Sequence, residues 1–307
     1  MLVYIWLGCA PQENSVEPAR SENVPIRGSD EEVQQKIIIP EIQIFPIAYR
    51  YDSLPSLVYA AGNSINLRSS ASTKGSVIAK VPLGNPIRVL ATAQEEKIGT
   101  RKDKWYHIET TIKGNSYKGY LFGPTMTPHK IGADFDEDGE PEYILAAYNE
   151  HRELLLRVLD PNASSAVTWT NMGEYSYDGQ VVDTAMLKLY PQDITGVSLL
   201  KIEAHADEKG FFWNKFISYS HGKVVRALEY TEQEKADSYQ TVDLQFAAKT
   251  RSVLLRHITG QVVGDDSKEQ TTVEKYRFSG GKYRSLVKKE VVSPPEEPSQ
   301  KTEESNL

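Results

Sequence analysis

The sequence predicts an all-β protein, and three observations carry that prediction. Apolar residues between Leu57 and Pro128 recur in twos and threes, as in Ile65/Leu67, Val77/Ile78/Val81 and Ile87/Val89/Leu90, and never over a helical window. Turn formers bound these runs: Gly62-Asn63, Lys74-Gly75 and Gly84-Asn85-Pro86. From Glu142 to Val292 the same short rhythm continues, and the chain carries 17 Tyr against 8 Phe, a half-wet aromatic usage suited to small β domains. The expected architecture is a small β barrel followed by an antiparallel β-meander, as sheet, sandwich or partial propeller, between disordered termini.

Composition narrows the function classes. The 307 residues suffice for two cored domains with tails. The net charge is -7 and no Lys/Arg-rich run occurs, so nothing favours nucleic acid. A lone cysteine, Cys9, excludes an internal disulfide and a cysteine-based metal cage.

Residues 1–9, within the apolar stretch MLVYIWLGCA, are too short to span a bilayer as a helix and lack the basic start of a secretory signal. Leu7-Gly8-Cys9 resembles a relaxed lipobox, with Trp6 where a Leu is usual. That resemblance implies the end of a lipoprotein signal whose start lies upstream, with Cys9 acylated and the protein held on a membrane of the cell envelope. Residues 10–40 are mostly polar and Pro-rich and read as a flexible tether. Residues 41–56 read as an extended arm, with Pro40 and Pro46 confining any strand there to a sheet edge.

Residues 57–128 carry the barrel: strands through Leu90, then a polar loop, then Trp105–Ile108 and Tyr120–Phe122. Strands this short cannot bury a face alone and must curl. Ile65-Asn66-Leu67-Arg68, the Ser/Thr-rich turn, Val77-Ile78, Gly84, Trp105-Tyr106 and Gly119-Tyr120-Leu121 together resemble a bacterial SH3-like domain, over about a quarter of the chain. Tyr120 departs from the Trp usual there. The resemblance implies a binding module directed at peptidoglycan peptide or an envelope protein, without catalysis. Tyr106, Tyr117 and Tyr120 are candidate ligand contacts, and Arg68 a candidate partner for a peptide carboxylate. Trp105 reads better as core and Arg68 better as a donor to a turn. Tyr106 and Tyr117 stay open between groove and core.

Residues 129–292 open on Asp134-x-Asp136-x-Asp138-Gly139-Glu140-x-Glu142. Alternate carboxylates before a sharp Gly turn suit a hard cation such as calcium, with Asp134, Asp136, Asp138 and Glu142 offering side chains and Glu140 its carbonyl. Leu145 stands where an EF-hand has its last carboxylate, and a strand follows in place of a helix. The loop resembles those of FG-GAP and VCBS-type β repeats. An acidic β-turn without metal is the plain alternative. Two later segments look alike, each an aromatic strand before a Gly-Lys turn at Gly222-Lys223 and Gly281-Lys282. They predict repeated hairpins. Thr231–Asp237, short and polar, is the one candidate helix here. Residues 293–307 form a polar, proline-rich tail.

No nucleophile motif, zinc-protease motif or Walker loop occurs, and the six histidines are scattered. The reading is therefore an envelope-anchored, non-enzymatic lipoprotein that binds through its barrel. Two alternatives stand beside it: a cell-wall or glycan hydrolase targeted by the barrel, and a calcium-stabilised scaffold.

Overall fold

Residues 41–163, 165–170, 176–177, 180–181, 184–206, 210–263, 266–286 and 290–292 are described by the computed structural model of the chain. Cys9, the tether at 10–40 with its Pro40, and the tail at 293–307 lie outside the described residues. The class is all-β, as the alternating pattern predicts.

The arm at 41–56 supplies β1 (Gln43–Ala48), which pairs antiparallel with a later strand at the edge of a large sheet. Pro46 lies within β1, and an edge strand tolerates its missing N–H. A seven-stranded sheet follows: β2 (Leu57–Ala60), β3 (Ser64–Arg68), β4 (Val77–Pro82), β5 (Pro86–Ile98), β6 (Arg101–Ile112), β7 (Asn115–Phe122) and β8 (Met126–Thr127). Its spatial order is β4-β3-β7-β6-β5-β2-β8. It wraps a core of Val58, Ile65, Leu67, Val81, Ile87, Ile108 and Leu121, all buried. Side chains of this size each contribute about 1.5–3 kcal/mol on burial.

The expected polar loop between Ala91 and Lys104 is instead a long two-stranded ribbon, β5 against β6 out to Ile98↔Arg101. Most of its side chains are polar because they face water, and the two that do not, Arg101 and Asp103 on β6, are buried as a charged pair. Cross-strand charges hold it, with Lys102 Nζ 3.0 Å from Glu95 and Arg50 on the same carboxylate.

A four-stranded sheet comes next, from β9 (Lys130–Ala133), β10 (Glu142–Tyr148), β11 (Leu154–Leu159) and β12 (Val167–Thr170), ordered β12-β11-β10-β9. A short hairpin, β13 (Ser176–Tyr177) with β14 (Gln180–Val181), precedes the main sheet. That sheet runs from β15 (Thr184–Tyr190) past a one-turn helix α1 (Gln192–Thr195) into β16 (Leu199–Ala206), β17 (Phe211–Ser220), β18 (Lys223–Glu234), β19 (Ser238–Ala247), β20 (Ser252–Val263), β21 (Asp266–Ser279) and β22 (Lys282–Ser285). It is a meander with β1 on the outer edge of β15, and β23 (Glu290–Val292) also pairs with β21. The two look-alike segments are indeed hairpins. His221-Gly222 and Gly280-Gly281 each hold two successive positive φ angles, the turn that matches strand twist.

The candidate helix at Thr231–Asp237 is not one: β18 runs through Glu234 and turns into β19. The stretch is polar because it is an exposed hairpin tip. β18 and β19 pair only near that tip, at Gln233↔Gln240 and Glu234↔Tyr239. Beyond it they part, and Glu232 fills the gap by accepting from Val242 N at 2.9 Å and Asn214 Nδ2 at 2.9 Å. The sheet thereby folds over on itself as a half-barrel. Tyr190 and Phe216 each meet Phe246 at 5.7 Å, and Ser218 Oγ donates to Gly281 O at 2.7 Å. The opposite face of β15–β17 packs Leu187, Leu200 and Ile202 against Ile144, Leu154 and Leu156 of the four-stranded sheet.

Candidate functional site

Strand alternation decides which barrel side chains can meet a ligand. In β7, Tyr117 and Leu121 face inward, and Tyr120 faces out; in β6, Tyr106 and Ile108 face inward, and His107 faces out. Tyr106 is 1% exposed and sits in the core, and Tyr117 packs against it, so both belong to the barrel's interior and not to a groove. Trp105 is also buried, with Nε1 donating to Glu96 Oε2 at 2.7 Å. Glu96 further accepts from Thr73 N and Oγ1 at 3.0 and 2.7 Å, and these donors, Thr73 foremost, hold its carboxyl below the usual range.

What lies outside is a cross-strand row. The register pairs Val77 with Arg68, Arg68 with Tyr120, Tyr120 with His107 and His107 with Ala91, so five residues share one outer face across β4, β3, β7, β6 and β5. Tyr120 and His107 stack at 5.1 Å with 30° between their planes. Arg68 Nη1 donates to Gly75 O at 2.7 Å, which fixes the guanidinium over the turn, as the structural reading of Arg68 expects. Val77 and Ile78 are 47% and 42% exposed on β4, at the end of the strand order. Two of the residues that the sequence singles out, Arg68 and Tyr120, lie in this row, and His107, which the sequence offers only as an edge residue of its strand, stands between them and Ala91. The signal for His107 was its position one step from core-facing Tyr106.

The acidic loop joins β9 to β10. One carboxylate oxygen from each of Asp134, Asp136, Asp138 and Glu142 lies within 4.8 Å of the others. Backbone N–H groups fold the loop around them: Gly139 N to Asp134 Oδ2 at 3.1 Å, Asp138 N to Asp136 Oδ1 at 3.3 Å and Glu140 N to Asp138 Oδ1 at 2.9 Å. Gly139, with φ 93°, makes the sharp turn. Glu140 is exposed and contributes no carboxylate to the group.

Glu142 is fully buried. Phe135 N donates to its Oε2 at 2.7 Å, and its Oε1 has no hydrogen-bond partner among the described residues. Asp134 Oδ1 is likewise buried and unpartnered. Burial pushes the Glu142 carboxyl up to about 7 against the Phe135 N–H, and the charges of Asp136 and Asp138 add to the rise. Burial first, then Asp138, also raises Asp136. Orphaned anionic oxygens converging at short range are what a hard cation satisfies, so the donor set fits calcium.

Open depressions of about 540 and 470 Å³ flank the β18–β19 tip. Two of the carboxylates there are engaged, Glu232 as described and Glu269 by Tyr239 Oη, and Glu234 lines the first depression beside them.

The fold defines the class: an all-β protein in which a small curled β module with an outward aromatic row precedes a β-rich companion that carries an acidic loop. Residues 63–126 match the model of the bacterial SH3 domain family. No curated protein and no solved structure gave a significant match to the chain.

Proposed function

We propose that this chain is a non-enzymatic protein of the cell envelope whose SH3-like barrel grips a peptidoglycan peptide or an envelope protein. The observation that carries the reading is the outward row Val77–Arg68–Tyr120–His107 on the segment matching the bacterial SH3 family. An extended peptide can lie along such a row. The His107–Tyr120 stack offers a flat aromatic face and Arg68 a cation for a carboxylate. Acylated Cys9 tethers the barrel to the membrane on the polar segment that follows it, and calcium in the acidic loop stiffens the companion sheets.

The test is retention of the full chain on purified peptidoglycan at low salt, with free cell-wall peptide as competitor. Retention that the peptide releases is the expected result. No retention, or retention indifferent to the peptide, counts against a cell-wall ligand.

A further inference from the structure

The acidic loop lacks the last carboxylate of a calcium loop, since Leu145 stands there. A carboxylate from elsewhere in the chain faces the same place. β10 and β11 pair as Tyr143↔Leu159, the last pair at that end of the ladder. The next residues on the two strands' continuations are Glu142 and Asp160, which the same register carried one step on would set opposite each other. In that register their side chains share a face, with Cβ atoms about 5 Å apart by strand geometry. Like charges directly opposite one another destabilise a sheet unless something positive lies between them. Around Asp160 the contacts lead back into the loop. Asn162 N donates to Asp160 Oδ1 at 2.7 Å, and Asn162 Nδ2 donates to Asp138 Oδ2 at 2.7 Å. Tyr219 Oη on β17 donates to Asp160 Oδ2 at 2.8 Å. Each Asp160 oxygen keeps a further lone pair. Its charge acts on both Asp136 and Glu142.

We propose that Asp160 is an outer carboxylate of the cation site, reaching the ion through a water, and that through it the site is fastened to the ten-stranded sheet. This rests on the reading of the acidic loop as a cation site. The loop is fastened to that sheet a second time, since Glu137 takes a two-pronged bond from Arg251 at 2.7 and 2.9 Å and another from Gln192 Nε2 at 3.1 Å. The cation is then a clasp between the four-stranded sheet and the half-barrel, and not only a stiffener of its own loop.

The experiment is calcium titration of the full chain, by calorimetry and thermal melting, on wild type, Asp160→Asn and Asp243→Asn, an exposed control on β19. In asparagine Oδ1 still accepts from Asn162 N, and Nδ2 can donate to the Tyr219 hydroxyl oxygen, so both contacts survive with the second reversed. The expected result is at least about tenfold weaker calcium binding in D160N, the range for outer partners of a metal site. The metal-free melting temperature is expected to be unchanged or higher, because a like-charge pair is gone. D243N is expected to match wild type. Equal calcium affinity in D160N overturns the proposal. So does lost binding with a metal-free melting temperature lowered by several degrees, which would make Asp160 structural. If wild type itself binds no calcium, the reading of the loop as a cation site falls first.

Discussion

Replacing Gly119 with alanine tests how the barrel closes. Among the described residues, β3 and β7 share the single register pair Arg68↔Tyr120, and Gly119 lies beside it. Its φ is not positive, so alanine meets no backbone penalty there. The obstacle is space. A Cβ would lie 2.6 Å from Arg68 O, 2.8 Å from Ile78 Cδ1 and 3.1 Å from Leu67 Cγ. The Ile78 tip can rotate away, but the Arg68 carbonyl is backbone at the seam itself. Overpacking of this kind costs about 1–3 kcal/mol, and the better strand propensity of alanine returns roughly 0.5–1 kcal/mol. The difference spans about 0–2.5 kcal/mol, and a clash with backbone at 2.6 Å puts this site in the upper half, about 1–2.5 kcal/mol, which lowers the urea midpoint by roughly 0.5–1 M at ordinary m-values. Asparagine separates sterics from conformation. At Gly114, with φ 81° and open space around it, asparagine is expected to cost little, whereas at Gly119 it is expected to cost more than alanine. An unchanged midpoint for G119A, or G119N milder than G119A, refutes a seam closed by contact.

Arg101 is buried with Asp103, their charged atoms 3.5 Å apart, and it donates to Tyr148 O at 2.8 Å and to Tyr49 O. Burial lowers its pKa and raises that of Asp103, the sign of a pair kept from water. Arg101→Ala is expected to cost about 3–5 kcal/mol in urea unfolding by stranding the carboxylate; a loss under 1 kcal/mol contradicts this. Glu203 is half-buried, and that burial alone would raise its pKa, but bonds from Lys188 and Lys201 hold it below the ordinary value of 4.5. A folded pKa below the unfolded one gives stability that is present above pH 4.5 and lost as pH falls through the lower folded value. Glu203→Gln is expected to flatten the acid limb of the stability–pH curve; a limb of unchanged slope contradicts it.

Much of this fold is legible in local chemistry. Gly222 and Gly281 mark turns that need positive φ, and Pro46 marks an edge; the structure has both. Leu154–Leu159 alternates cleanly between a buried and a half-buried face and is a strand with those bounds. The ribbon beyond Ala91 was not legible, because a two-stranded extension in water needs no apolar face to announce it. Nor was the fold-over of the large sheet, which depends on Glu232 bridging strands that part, a contact between residues ten apart with no sequence signature. At the site the parity was the difficulty. Tyr106 and His107 are neighbours, and only the register shows which of them faces out. Asp160 was invisible for a similar reason, being set against Glu142 by a hairpin and not by a motif.

The most direct test of the outward row is the affinity of the full chain for isolated cell-wall peptide, compared among wild type, Tyr120→Ala and the inward-facing Tyr117→Phe. Loss of an aromatic contact at the centre of a small interface costs about 1–2 kcal/mol, so Y120A is expected to bind roughly tenfold or more weakly. Y117F is expected to match wild type. Wild-type affinity in Y120A, or weakening in Y117F alone, would contradict the account.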